Sequence, residues 1–162
     1  MIRPRYEHTL AAACEVRGRG YWSGQTIHVR FLPTAAGTGI RMVRTDLPGR
    51  PQCPALTSHA AEQSLRTNLS AGAARFEMIE HLMAALYALQ IDNCIVEVDA
   101  AEMPGFDGSA QRFTDALRAA GLVKQATVRR CYVIDRPFRV GDENCWVTAE
   151  PVSGDRACYL LA

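Results

Sequence analysis

A chain of 162 residues, 48% hydrophobic and 22% charged, has the composition of a globular protein and lies outside the disordered, fibrous and membrane classes. Eighteen basic residues against seventeen acidic ones give a formal charge of +1; no overall electrostatic footprint points to a nucleic acid, and none is expected as a partner. The opening Met-Ile-Arg-Pro-Arg-Tyr-Glu-His lacks an apolar signal stretch, and no run approaches the ~20 apolar residues of a membrane span, which argues for a cytoplasmic protein.

Between Tyr6 and Thr45, apolar and polar residues alternate between glycine-rich breaks. This predicts strands at Leu10 to Val16, Thr26 to Leu32 and Ile40 to Arg44. Pro48, Gly49, Pro51 and Pro54 make residues 46–58 a loop or an edge segment. Ile79, Leu82, Met83, Leu86 and Leu89 recur at helical spacing, which predicts a helix from about Met78 to Leu89 with one apolar stripe. Asp92-Asn93 is a turn, and Cys94 to Val98 a buried strand. After a loop over Asp99 to Asp107, Ser109 is placed to cap a second helix. Phe113, Leu117 and Ala120 give that helix its stripe, and Gly121 ends it in a left-handed residue.

Lys124-Gln125-Ala126-Thr127 is polar and short, as a linker would be. Strand-like runs resume at Arg130 to Ile134, Cys145 to Ala149 and Arg156 to Leu161. Arg129, Arg130, Arg136 and Arg139 are spread through this strand-like sequence, as on a solvated sheet face. The expected fold is α+β, a two-layer sandwich. Residues 1–125 form a mixed or antiparallel sheet with two helices on one face, and residues 126–162 supply the first strands of a similar second domain.

Six cysteines, at positions 14, 53, 94, 131, 145 and 158, include no Cys-x-x-Cys pair, which argues against a zinc ribbon. Cys14, Cys94 and Cys131 lie in apolar runs, where a free thiol serves as a small buried hydrophobe.

Glu80-His81 opens the first predicted helix beside Glu77. An imidazole can ligate a metal, and an adjacent carboxylate can take a proton from an activated water, so the pair has the chemistry of a hydrolase. The same two residues also suit a helix start with an ordinary charged residue and a hydrogen-bonded histidine. No His-Glu-x-x-His occurs, so the one-helix zinc site is excluded. His8, His28 and His59 are expected to be exposed strand or loop residues. Asp107-Gly108-Ser109 could contact a substrate, but an acidic residue, a glycine and a capping serine in sequence are sufficient to explain a tight loop entering a helix.

Context distinguishes the pair. Met78-Ile-Glu-His-Leu-Met-Ala-Ala-Leu-Tyr-Ala-Leu-Gln-Ile-Asp-Asn93 resembles the Thr-Val-Glu-His-Leu…Ala-Leu…Gly-Ile-Asp-Asn segment of the UDP-3-O-acyl-N-acetylglucosamine deacetylases of lipid A synthesis. In the same order, Gly18 to Gly24 resembles that family's Gly-x-Gly-Leu-His-Ser-Gly, and Pro33 to Ile40 its Pro-Ala-x-x-x-Thr-Gly-Ile. Arg44-Thr-Asp46 matches Arg-x-Asp, Glu102 to Ala110 resembles Glu-(Ile/Met)-Pro…Asp-Gly-Ser, and Phe113 to Gly121 the helix that follows. The matches run over residues 8 to 121.

The resemblance implies zinc-dependent amide hydrolysis of the N-acetyl group of UDP-3-O-acyl-N-acetylglucosamine, releasing acetate. It makes Glu80 the general base and His81 a zinc ligand. The family's other ligands, a His and an Asp, belong to its second domain, so this chain by itself is expected to be inactive. It would be an engineered piece, a proteolytic product or one part of a split enzyme, completed by the missing C-terminal domain or a second chain. The family's domains face each other through their helices, so the stripe of Ile79 to Leu89 is expected to be partly bare and to favour a homo-oligomer.

Trp22 stands where the family has His, and Glu77 and Met78 replace small hydroxyl residues. These departures leave two readings open: Trp22 fills a turn and Met78 is core, or the chain has drifted toward a non-catalytic binding or regulatory module. An unrelated interaction domain in which Glu80-His81 is structural is disfavoured by the ordered run of motifs.

Overall fold

The computed structural model describes residues 5–151. The chain divides into two compact units, one ending at Arg129 and one beginning at Arg130. No helix among the described residues is long and apolar enough to cross a membrane.

The first unit runs through β1 (Tyr6–Leu10), β2 (Cys14–Arg19), β3 (Thr26–Pro33), β4 (Ile40–Arg44) and β5 (Gln52–Pro54). A 3-10 turn over Thr57–His59 leads into β6 (Ala60–Ala61), β7 (Asn68–Ala71) and β8 (Ala74–Phe76). Then come α1 (Glu80–Ala88), β9 (Cys94–Val98), α2 (Gln111–Ala120) and β10 (Leu122–Val128). The main sheet has the order β2-β3-β9-β4-β5. It is mixed, because β4 and β9 run parallel whereas the other neighbours are antiparallel. Strands β6, β7 and β8 make a second, three-stranded sheet, and β1 pairs with β10. The architecture is α+β, as the order of strands and helices predicts.

Period-two alternation explains which sheet face is covered. Ile27, Val29 and Phe31 of β3, and Cys94, Val96 and Val98 of β9, are buried in one core with Leu82, Ala85 and Leu86 of α1 and Phe113 and Leu117 of α2. Phe113 anchors that layer, its ring edge-on to Phe31 at 6.3 Å and to Phe106 at 5.2 Å. Burying a side chain of this size contributes about 1.5–3 kcal/mol. On the opposite sheet face Glu97 lies across from Arg30 and pairs with it at 3.0 Å, and Arg50 reaches the same carboxylate.

Several expectations are corrected. The run Leu10 to Val16 is two strands, broken at residues 11–13, where the Ala11 N–H donates to Gly121 O at 2.9 Å. Residues 124–127 are not a linker but the middle of β10, and Arg130 to Ile134 is not a strand. On α1, Ile79, Leu82 and Leu86 are buried, while Met83 and Leu89 are only partly buried where they pack against the same core. Cys131 is exposed, whereas Cys94 is buried and its thiol is pushed up to about 12 by desolvation.

The second unit contributes the antiparallel hairpin β11 (Phe138–Gly141) and β12 (Trp146–Ala149). The expected strand Arg156 to Leu161 lies outside the described residues.

Candidate active site

Glu80 is the first residue of α1, where an acidic side chain complements the positive end of the helix dipole. Its Oε2 accepts the Thr67 N–H at 3.0 Å, and Thr67 O accepts the Ile79 N–H at 3.1 Å. The start of β7 and the start of α1 are thus tied together around the carboxylate. His81 follows and is half-buried. Beside Thr67 opens a broad cavity of about 620 Å³ lined by residues 60–64 and 66–68.

The backbone entering α1 is held from two sides. Glu77 N–H donates to Ala101 O at 2.8 Å, and Glu77 O accepts the Met103 N–H at 2.9 Å. Met78 has φ +57°, in the left-handed region that costs a side-chain-bearing residue about 1–2 kcal/mol. It is buried in the core, which is the structural reading of that departure. The Glu77 carboxylate lies between Arg66 and Arg75, each at 3.1 Å.

The turn carrying Trp22 is fastened to the same region. Buried Glu102 accepts the Trp22 N–H at 2.7 Å and the Ser23 N–H at 2.9 Å. Burial alone would raise the Glu102 pKa. Hydrogen bonds from the Ser23 side chain and from the backbone of Trp22, Ser23 and Tyr21 outweigh it and hold the carboxyl below its ordinary range. Gly20 permits this packing, since a Cβ there would collide with Ser23 Oγ and Glu102 Oε2. The Trp22 ring stays more than half exposed, with the Arg66 guanidinium 5.4 Å from its centroid, so it does not fill the turn.

Most of the other motifs serve as scaffold. Arg44 makes a bidentate pair with Asp46 at 2.8 and 2.6 Å and donates to Arg75 O at 2.9 Å, joining β4 to β8. Its side-chain hydrogen bond lowers the Asp46 pKa. Asp107 Oδ1 accepts from Ser109 Oγ and N–H, and Ser109 Oγ accepts the Gln111 N–H at 3.2 Å, so this triplet builds the turn into α2. His8, His28 and His59 are partly buried rather than exposed, and His28 pairs with Glu15 at 2.9 Å.

The family model for UDP-3-O-acyl N-acetylglycosamine deacetylase (LpxC) matches residues 7–161. The chain belongs to this family. A UDP-3-O-acyl-N-acetylglucosamine deacetylase of Trichormus variabilis is 39% identical over 155 residues, 94% of this chain and 55% of the relative. One of Shewanella halifaxensis is 34% identical over 96% of this chain and 51% of its own length. A "Bifunctional enzyme LpxC/FabZ" of Porphyromonas gingivalis is 38% identical over 84% of this chain and 29% of its own length. The chain thus spans about half the length of the curated deacetylases it matches.

A catalytic zinc is held by three protein ligands. Among the described residues of this deacetylase-family chain, no group of three or more His, Cys, Asp or Glu is placed to hold a metal. These residues do not form a complete metal site. The contacts made by Thr67 are not legible in the sequence, because they act through backbone groups in a stretch with no periodic pattern.

Proposed function

We propose that this chain is the N-terminal half of a zinc-dependent deacetylase that removes the N-acetyl group of UDP-3-O-acyl-N-acetylglucosamine as acetate, in the cytoplasmic steps of lipid A synthesis. The observation that carries the proposal is the Glu80-His81 pair at the first turn of α1, with the Glu80 carboxylate held by the Thr67 N–H, inside the matched residues.

Glu80 acts as general base. Its Oε2 is anchored, which leaves the carboxylate in one orientation toward a water and spares the reorientation that a free side chain would need. His81 is a metal ligand, and the remaining donors belong to the length that this chain does not span, along with most substrate contacts. When bound, zinc would supply Lewis-acid stabilisation of charge developing on the acetyl oxygen. The chain by itself, holding one ligand and the opening of a second domain, neither retains zinc tightly nor turns over substrate. A non-catalytic module is the second reading, favoured by the exposed Trp22 at the family's histidine position.

The test uses an enzyme in which this chain is joined to the remaining length of its relatives. Glu80→Ala should keep its zinc and lose roughly 10²-fold or more in deacetylation rate, the scale on which positioned bases act. His81→Ala should lose metal and activity together. Near-normal turnover by Glu80→Ala would sink the mechanism, and an inactive joined wild type would favour the module. Submicromolar zinc binding by the 162-residue chain, abolished by His81→Ala, would mean that further donors within the chain complete the site.

A further inference from the structure

The three backbone N–H groups at residues 77 to 79 are held differently. Those of Glu77 and Ile79 donate to backbone carbonyls, of Ala101 and Thr67. That of Met78, the residue at φ +57°, donates at 3.4 Å to a side chain, Asn68 Oδ1. Asn68 is 1% exposed, and its Nδ2 is buried without a partner among the described residues. A buried donor left unpaired destabilises the fold, and one long hydrogen bond offsets that only in part. The carboxamide is therefore a poor choice for stability alone. What its oxygen does is hold the left-handed residue two positions before Glu80, from the first residue of β7, next to Thr67, whose N–H meets the Glu80 carboxylate.

We infer that Asn68 is a positioning residue for the Glu80-His81 pair. Its carboxamide keeps Met78 in the left-handed conformation that sends the chain into α1 with Glu80 against Thr67. The inference rests on the reading of Glu80 as general base. Asn68 touches neither substrate nor metal in this scheme and acts through the backbone of residue 78.

The test again uses the joined enzyme, with UDP-3-O-acyl-N-acetylglucosamine as substrate. Asn68→Ala should lower kcat roughly 10- to 100-fold, the effect of a small misplacement of a catalytic group, with KM changed by no more than about twofold. In a Glu80→Ala background, Asn68→Ala should have little further effect, because it acts through that carboxylate. Met78→Gly, which reaches positive φ without a steric penalty, should restore most of the loss when combined with Asn68→Ala. Met78→Val, whose branched side chain resists that region, should reproduce the loss with Asn68 intact. Amide hydrogen exchange at Met78 should quicken in Asn68→Ala independently of turnover.

Near-normal kcat in Asn68→Ala, beside an inactive Glu80→Ala, overturns the inference and leaves the functional reading standing. So do losses that multiply fully in the double variant, the pattern of a general structural defect. Near-normal turnover by Glu80→Ala removes the functional reading and the positioning role with it. If Asn68→Ala is too unstable to purify, Asn68→Ala with Met78→Gly is compared with Met78→Gly alone. A kcat within about threefold supports the inference, and one tenfold or more lower overturns it.

Discussion

Glu102 shows how one side chain can organise two segments distant in sequence. Its carboxylate gathers the Tyr21 to Ser23 turn, while the backbone on either side of it clasps Glu77. Because the folded-state pKa lies below the ordinary value, the charged form contributes stability above the unfolded pKa of about 4.3, and that contribution is lost as pH falls through the folded value. Glu102→Gln should therefore cost about 1.5–3 kcal/mol near neutral pH, the scale of hydrogen bonds to a charged group. The gap in melting temperature between the two proteins should narrow below about pH 4. A gap that persists unchanged into strong acid would show that shape rather than charge matters at this position.

At the scale of elements, α1 turns one face into the core and the other to solvent. Leu86 is 1% exposed and Tyr87 is 77% exposed, though they are neighbours on one helix. Leu86→Ala should cost about 2–5 kcal/mol, and Tyr87→Ala should stay within about 0.5 kcal/mol, as read from thermal or denaturant unfolding of the chain. Equal, small effects would mean that the stripe on α1 is not part of the core. Elements with a clear apolar period were legible in the sequence: α1 through Ile79 to Leu89, and β3, β4 and β9 through alternation or a continuous apolar run. The sheet of β6, β7 and β8 was not, because its strands are two to four residues long and rich in alanine, with too few large side chains to mark a period. β10 reads as a linker in the sequence for a related reason. Its residues are exposed apart from Gln125, and the inward group is an amide that donates to Thr34 O at 2.8 Å and accepts from Asn93 at 2.7 Å. The candidate site was legible only as the two residues Glu80 and His81; the contacts that orient them come from backbone at residues 67 and 101–103, which no side-chain pattern announces.

Across the first unit, β1 pairs with β10 from Leu10 opposite Leu122 to Tyr6 opposite Val128. Asp92 fastens this pairing, accepting from Arg5 at 2.6 Å and pairing with Arg129 at 3.2 Å. A strand made early thus completes its bonding with a strand made more than a hundred positions later. On a ribosome adding about 5–20 residues per second, β1 waits roughly 5 to 25 s for its partner, holding an open edge in the meantime. Folding of this unit is then expected to be timed by synthesis, with the Asp92 clamp closing last. Chains released after Gly121 should aggregate or be degraded by added protease, whereas chains released after Arg129 should unfold in a single cooperative transition. Equal protease resistance of the two would mean that β1 does not need β10, and that the order of synthesis leaves no mark on how this unit assembles.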